Sequence, residues 1–148
     1  MSLSVESRSV PPTNFVHVGI AVKDATATVA FLSSIWDGIV VEKDETYEPL
    51  GSDLVVRPPF KVRLVEFTLG PLRIELLQPL DDHSVWAKFI AEKGEGIHHV
   101  AFDVSDYDDL SSTFQTQGRP MLASAGHKGE RWCYFDTPGG AIFELRED

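Results

Sequence analysis

One short stretch occurs twice in this chain, as Phe15-Val-His-Val-Gly-Ile-Ala-Val22 and again as Ile97-His-His-Val-Ala-Phe-Asp-Val104. Each copy is a β-type run with a histidine at the same place, His17 or His99, and each is followed at once by an acidic helix-start signal, Asp24 or Asp106. A repeated unit of this size cannot bury its apolar face alone. The duplication therefore predicts two modules packed together, each able to contribute a ligand to one shared central site.

With 148 residues, 43% of them hydrophobic, the chain can build one compact domain with a real core. Residues 1–14, rich in Ser and ending near Pro11-Pro12, read as a disordered lead, and 15–148 as a single domain. A formal net charge of −10 argues against nucleic-acid binding, which needs a basic surface, and it mildly disfavours anionic substrates. No apolar run reaches the roughly 20 residues of a membrane span, and the start lacks the layout of a signal peptide, so a soluble, cytoplasmic protein is expected. The single cysteine, Cys133, fits a reducing compartment and reads as a buried, inert thiol.

Module one, about 15–79, opens on a strand in which His17 shares a face with Gly19 and Ala21. Asp24 should cap a helix running to about Ile35 and ended by Asp37-Gly38, with a second strand over Gly38 to Lys43. The polar loop from Asp44 to Pro59 is long enough to suggest a functional lid. Lys61 to Leu69 and Leu72 to Gln78 form a hairpin around Gly70-Pro71. A connector, about 80–95, carries a short helix over Ser84 to Lys93 with Val85, Phe89 and Ile90 at helical spacing. Module two, about 96–148, repeats the order. It has a strand over Ile97 to Val104, a helix capped by Ser105 or Asp106 and closed by Gly118, and strands near Met121 to Ala125, Arg131 to Asp136 and Ala141 to Arg146. Asp136-Thr-Pro-Gly-Gly140 is the turn between the last two. Both modules read β-α-β-β-β.

Strand parity locates the chemistry. Glu75 lies between Ile74 and Leu76, and Glu144 between Phe143 and Leu145. A carboxylate in such a setting costs several kcal/mol to bury unless something compensates it. A divalent metal would compensate both. His17, Glu75, His99 and Glu144 together make a borderline nitrogen and oxygen donor set suited to Zn, Co, Ni, Fe or Mn. His98 has the opposite parity from His99 and reads as structural. The acidic run Asp106-Tyr-Asp-Asp109 is explained by the helix dipole rather than by a metal. His127 in Gly126-His-Lys-Gly129 is first a turn residue, with contact to a substrate phosphate or carboxylate as the alternative.

Three stretches carry a family resemblance: His17-Val-Gly-Ile-Ala-Val-Lys-Asp24, Ile74-Glu-Leu-Leu-Gln-Pro-Leu80 and Gly94-Glu-Gly-Ile-His-His-Val-Ala-Phe102. They resemble the vicinal oxygen chelate superfamily, which includes glyoxalases, bleomycin-resistance proteins and dioxygenases, and within it the methylmalonyl-CoA epimerases. The resemblance runs over nearly the whole chain from Phe15. It implies an α+β fold of two βαβββ modules forming a cupped mixed sheet around a central metal site, with the metal being Co, Zn, Ni or Mn. It also implies an epimerase or isomerase that removes a carbon-bound proton and stabilises the resulting enediolate by metal charge.

Inversion needs a second carboxylate to return the proton from the other face. With Gly70-Pro71 as the turn, Glu66 falls opposite Glu75 and is a candidate; the bland alternative is a pair with Arg73. Glu144 could double as the other base. The partner implied is an acyl-CoA thioester or a glutathione adduct, and a homodimer is expected. Asp136 to Gly140 is similar to the turn before the last strand of bacterial glyoxalase I (lactoylglutathione lyase), whose four-ligand set is the same, so that activity is the alternative. An extradiol-type dioxygenase, with two histidines and one carboxylate, is less favoured because Glu75 would be a fourth ligand. A non-catalytic binding module of the superfamily is a further class, disfavoured by the intact ligand set.

Overall fold

The computed structural model describes residues 11–12, 14–49, 54–56 and 59–148. Most of the expected disordered lead, residues 1–10 and 13, lies outside the described residues. The elements follow in the order β1 (Asn14–Ala21), α1 (Ala25–Ser33), β2 (Val41–Tyr47), β3 (Leu54–Val56), β4 (Val62–Leu69), β5 (Leu72–Pro79), α2 (Val85–Lys93), β6 (Gly96–Val104), α3 (Tyr107–Thr116), β7 (Ala123–Ala125), β8 (Trp132–Asp136) and β9 (Ile142–Glu147).

The strands form one nine-stranded mixed sheet in the order β2-β4-β5-β1-β6-β9-β8-β7-β3. Each module lays down the same half, with its first strand parallel to its last: β1 beside β5, and β6 beside β9. The halves meet where β1 and β6 pair antiparallel. This is the cupped α+β sheet of two βαβββ modules joined within one chain, with β3 of module one added as a ninth strand beside β7 of module two.

Alternation along the strands sorts side chains between the two faces. On the outer face, α1 covers Val65, Phe67, Ile74 and Leu76, while α3 covers Cys133, Phe135 and Leu145. The connector helix α2 packs on the inner face, where Trp86 joins Phe60, Val62, Leu77 and Tyr134. Spacing alone suggested Val85, Phe89 and Ile90 as its packed positions, yet the side chain it buries fully is Trp86.

Local signals held where they rest on backbone chemistry. Asp24 Oδ1 accepts from Ala27 N at 3.0 Å at the start of α1. Gly118 adopts φ 80° behind α3, and the Arg119 amide closes on Phe114 O at 2.9 Å. α3 starts behind Asp106, but that side chain makes no capping bond.

Two expectations are corrected. The second strand spans Val41–Tyr47 rather than Gly38 to Lys43, because β4 pairs with it from Val41 through Tyr47 and the ladder overrides the poor strand propensity of Lys43-Asp-Glu45. The expected lid over Asp44 to Pro59 is therefore strand in its first part. It is strand again at Leu54–Val56, which pairs with β7 of the other module; residues 50–53 and 57–58 lie outside the described residues.

Candidate metal centre

The seam between the halves brings the predicted residues together. On β1, His17 sits opposite Ala101 of β6; on β6, His99 sits opposite Gly19 of β1. Parallel pairing then sets Glu75 beside Gly19 and Glu144 beside Ala101. Each histidine thus lies across from a small residue of the other half. Gly19 is required: a Cβ built there would lie 2.1 Å from His99 Cε1. The His-x-small spacing, His17-Val-Gly19 and His99-Val-Ala101, is the sequence signal that could have flagged this clearance.

The four side chains are buried, and one ligand-type atom from each lies within 4.8 Å of every other. His17 Nε2 is 3.0 Å from His99 Nε2 and 3.2 Å from Glu75 Oε1, and His99 Nε2 is 3.1 Å from Glu144 Oε1. The crossed contacts, His17 to Glu144 and His99 to Glu75, are 3.7 and 3.9 Å. Metal–ligand bonds of about 2.0–2.2 Å place neighbouring donors roughly 3–3.5 Å apart. The observed separations match a divalent ion held between the four residues, and the donor set could bind one.

The electrostatics agree. Burial pushes the Glu75 carboxyl up to about 8; the His17 charge opposes this, and the Glu144 and Glu66 charges reinforce it. Burial also acts to raise Glu144, but its contacts with His17 and His99 outweigh that and hold it below the usual range. Burial would lower His17, yet Glu144 and Glu75 raise it overall. For His99 burial wins and the pKa falls. Without a cation, two adjacent carboxylates in a dry site cannot both stay charged, and the pair retains a proton. A divalent cation removes that conflict.

A cavity of about 440 Å³ opens from the cluster along the inner face. Glu75 and Glu144 are part of its lining, Trp86, Trp132 and Tyr134 form an aromatic wall, and the cations Lys43, Arg131 and Arg146 share the lining with Glu45, Glu130 and Glu147. The wall is cross-braced: Trp86 Nε1 donates to Tyr134 Oη at 3.2 Å, and Trp132 Nε1 to Tyr47 Oη at 3.1 Å. None of these aromatic residues was singled out from the sequence, since they lie on strands and helices distant along the chain.

Glu66 pairs with Glu75 in the hairpin register, as the turn predicted, and is buried on the same face. Its carboxylate accepts from Arg73 Nη2 at 3.1 Å, with Lys43 Nζ at 4.0 Å, and it does not line the cavity. His98 departs from its expected parity. β6 bulges at this residue, and its ring turns toward Tyr134, with Nδ1 2.9 Å from His99 Nδ1. Burial lowers the His98 pKa to about 3. His127 is exposed at the cavity lining, 3.2 Å from Glu130. Cys133 is fully buried on the outer side, and burial pushes its thiol up to about 12. Asp108 of the acidic run pairs with Arg131 at 2.8 Å. No described helix is long and apolar enough to cross a membrane.

Comparison with known proteins agrees with this architecture. The chain is 31% identical over 86 residues to the uncharacterized protein YqjC of Bacillus subtilis, a match over 58% of this chain and about half, 54%, of that protein. It is 29% identical over 114 residues to the ethylmalonyl-CoA/methylmalonyl-CoA epimerase of Cereibacter sphaeroides, covering 76% of each. The crystal structure of methylmalonyl-CoA epimerase from Mycobacterium tuberculosis superposes with a TM-score of 0.68 at 25% identity, over 97% of this chain and 93% of that one. A family model matches residues 16–135, a span that takes in the seam, α2 and three of the four clustered residues. By that match and by the fold, the chain belongs to the Glyoxalase/Bleomycin resistance protein/Dioxygenase superfamily.

Proposed function

We propose that the protein is a metal-dependent epimerase that exchanges a carbon-bound proton beside a thioester carbonyl, with methylmalonyl-CoA or a related 2-substituted malonyl thioester as substrate. The observation that carries this reading is the closed His17, Glu75, His99 and Glu144 cluster at the edge of a cavity large enough for an acyl group. The substrate class is suggested by the named epimerase relatives. These four residues would hold the ion, which is Co, Zn, Ni or Mn in this proposal. When bound, a divalent cation polarises neighbouring substrate oxygens and so acidifies the adjacent C–H.

The chain's own groups supply the rest. Glu144 faces the cavity and is the carboxylate proposed to take the proton. The Trp86, Trp132 and Tyr134 wall excludes water from the reacting carbon, and an anionic acyl-CoA would have to exchange ion pairs such as Lys43–Glu45 and Arg131–Glu147 to reach the cations of the lining. Glu66 is the second carboxylate of the proposal. Because Arg73 holds it outside the cavity lining, it can return a proton only after exchanging Arg73 for the substrate.

Solvent-deuterium exchange into methylmalonyl-CoA by the metal-loaded protein tests the reading, with the glutathione–methylglyoxal adduct assayed in parallel. Exchange into the thioester supports the epimerase. Turnover of the adduct alone would move the activity to a glyoxalase I type of lyase. In the thioester assay, Glu66→Gln should lose turnover by on the order of 100-fold or more while keeping the metal; normal deuterium uptake by that variant would remove Glu66 from the reaction. An extradiol oxygenation is less favoured, since four protein donors leave little room for a catechol and oxygen together. The working unit is proposed to be a homodimer, and light scattering would establish its mass.

A further inference from the structure

The seam carries two register shifts. On β1 the pairing steps from Phe15 to His17 while β6 advances one residue, so Val16 is the extra residue; on β6 the pairing steps from His99 to Ile97, so His98 is extra. Each half therefore bulges immediately before its clustered histidine, and a bulge re-aims the side chain it carries. The two copies differ in what occupies the bulge. Behind Val16, His17 Nδ1 is buried without a hydrogen-bond partner among the described residues. Behind His98, His99 Nδ1 meets the Nδ1 of its neighbour at 2.9 Å.

A histidine that gives Nε2 to a metal keeps its remaining proton on Nδ1, and an acceptor placed there fixes the tautomer and the ring plane. His98 is held in position to accept. Its ring packs against Phe89 of α2 at 5.1 Å and Tyr134 of β8 at 5.2 Å. We propose that His98 is a positioning residue for the metal centre, accepting the Nδ1–H of His99 and so leaving His99 Nε2 free to bind the ion. This rests on the metal reading of the cluster.

His98→Phe keeps an aromatic ring between α2 and the sheet but removes the acceptor, and His98→Gln restores one. The measurement is Co(II) affinity by competition with a chromophoric chelator, alongside the Co(II) absorption spectrum and the melting temperature of each metal-free protein. We expect a loss of about 10–100-fold in affinity for His98→Phe, the range typical of removing such an outer partner, with partial recovery in His98→Gln. His98→Phe with wild-type affinity overturns the proposal, even if its metal-free form melts lower, because the ring would then only fill space. If His98→Phe does not fold, His98→Leu carries the same expectation and the same overturning result. A wild-type protein that binds no Co(II) would instead overturn the metal reading itself.

Discussion

The two halves of the sheet deliver their glutamates to nearly mirrored positions, yet they do not deliver the same acid. Glu75 and Glu144 stand 3.2 and 3.1 Å from the histidine of their own half. Two residues further along each strand the copies diverge: Leu77 follows Glu75, whereas Arg146 follows Glu144 and places Nε 3.8 Å from it. Glu75 also lies opposite another carboxylate, Glu66. Glu75 is pushed up to about 8 and Glu144 is held low. The difference comes from contacts rather than from place in the repeat: burial, reinforced by the Glu144 and Glu66 charges, raises Glu75, whereas Glu144, under the same burial, is held low by contacts with both His17 and His99.

If both halves contribute to one site, removing either histidine should be equally damaging. His99→Ala and His17→Ala should each weaken Co(II) or Zn(II) binding by more than the 10–100-fold or so that follows loss of an outer partner. Full metal stoichiometry and affinity in His99→Ala would break the comparison at its root.

The small residues opposite the histidines should behave unequally. Gly19→Ala forces the His99 ring to move and should weaken metal binding at least about tenfold, since it misplaces a ligand. Its counterpart Ala101→Gly adds no clash and should cost only about 0.5–1 kcal/mol of stability with affinity unchanged. Chelator competition and thermal melts on both variants separate these outcomes.

Metal should stabilise the chelator-treated protein by about 2.7 kcal/mol at a free concentration 100 times its Kd, seen as a higher melting temperature. An unchanged melt on adding cobalt or zinc would count against a shared site.

The smallest effect distinguishes the two glutamates. Glu75 has a raised pKa, so its contribution to the metal-free fold is complete below its ordinary value of 4.5 and is lost as pH rises toward about 8. Glu144 is depressed, so its contribution is present throughout that window and lost only in acid. His17, raised, adds to the Glu75 loss, whereas His99 and His98, both lowered, oppose it as pH rises toward their ordinary value of 6.5. In denaturant melts of the metal-free protein the Glu75 share is therefore read by difference: between about pH 5 and 8 the wild type should lose more stability than Glu75→Gln, by on the order of 1–2 kcal/mol. Glu144→Gln, which removes a charge that helps raise Glu75, should shift the Glu75-dependent loss to lower pH.

Much of this was readable from the residues because strand parity and turn chemistry are local. His17, Glu75, His99 and Glu144 follow from alternation within single strands, and the Glu66–Glu75 register follows from Gly70-Pro71. What was not readable depends on where strands slip. Nothing in Phe15-Val-His or Ile97-His-His announces a bulge, because an extra residue is defined only against the opposite strand. Parity alone therefore puts His98 on the face opposite His99, whereas the bulge turns it toward Tyr134. The Arg73 contact at Glu66 is one of two readings the register permits, and only side-chain placement selects it. Likewise Lys43-Asp-Glu45 has little strand propensity of its own and is strand because β4 supplies the ladder.

The position of β1 has a consequence for synthesis. Its two sheet neighbours are both remote, and His17 precedes His99 by 82 positions. At a translation rate of 5–20 residues per second, roughly 4–16 s pass between polymerising the first histidine and the second. During that interval β1 has neither β6 to pair with nor, until the first hairpin is made, β5. The emerging chain must carry an unpaired strand edge bearing Val18 and Ile20, a template for mispairing with other nascent chains, until the second module arrives to cover it.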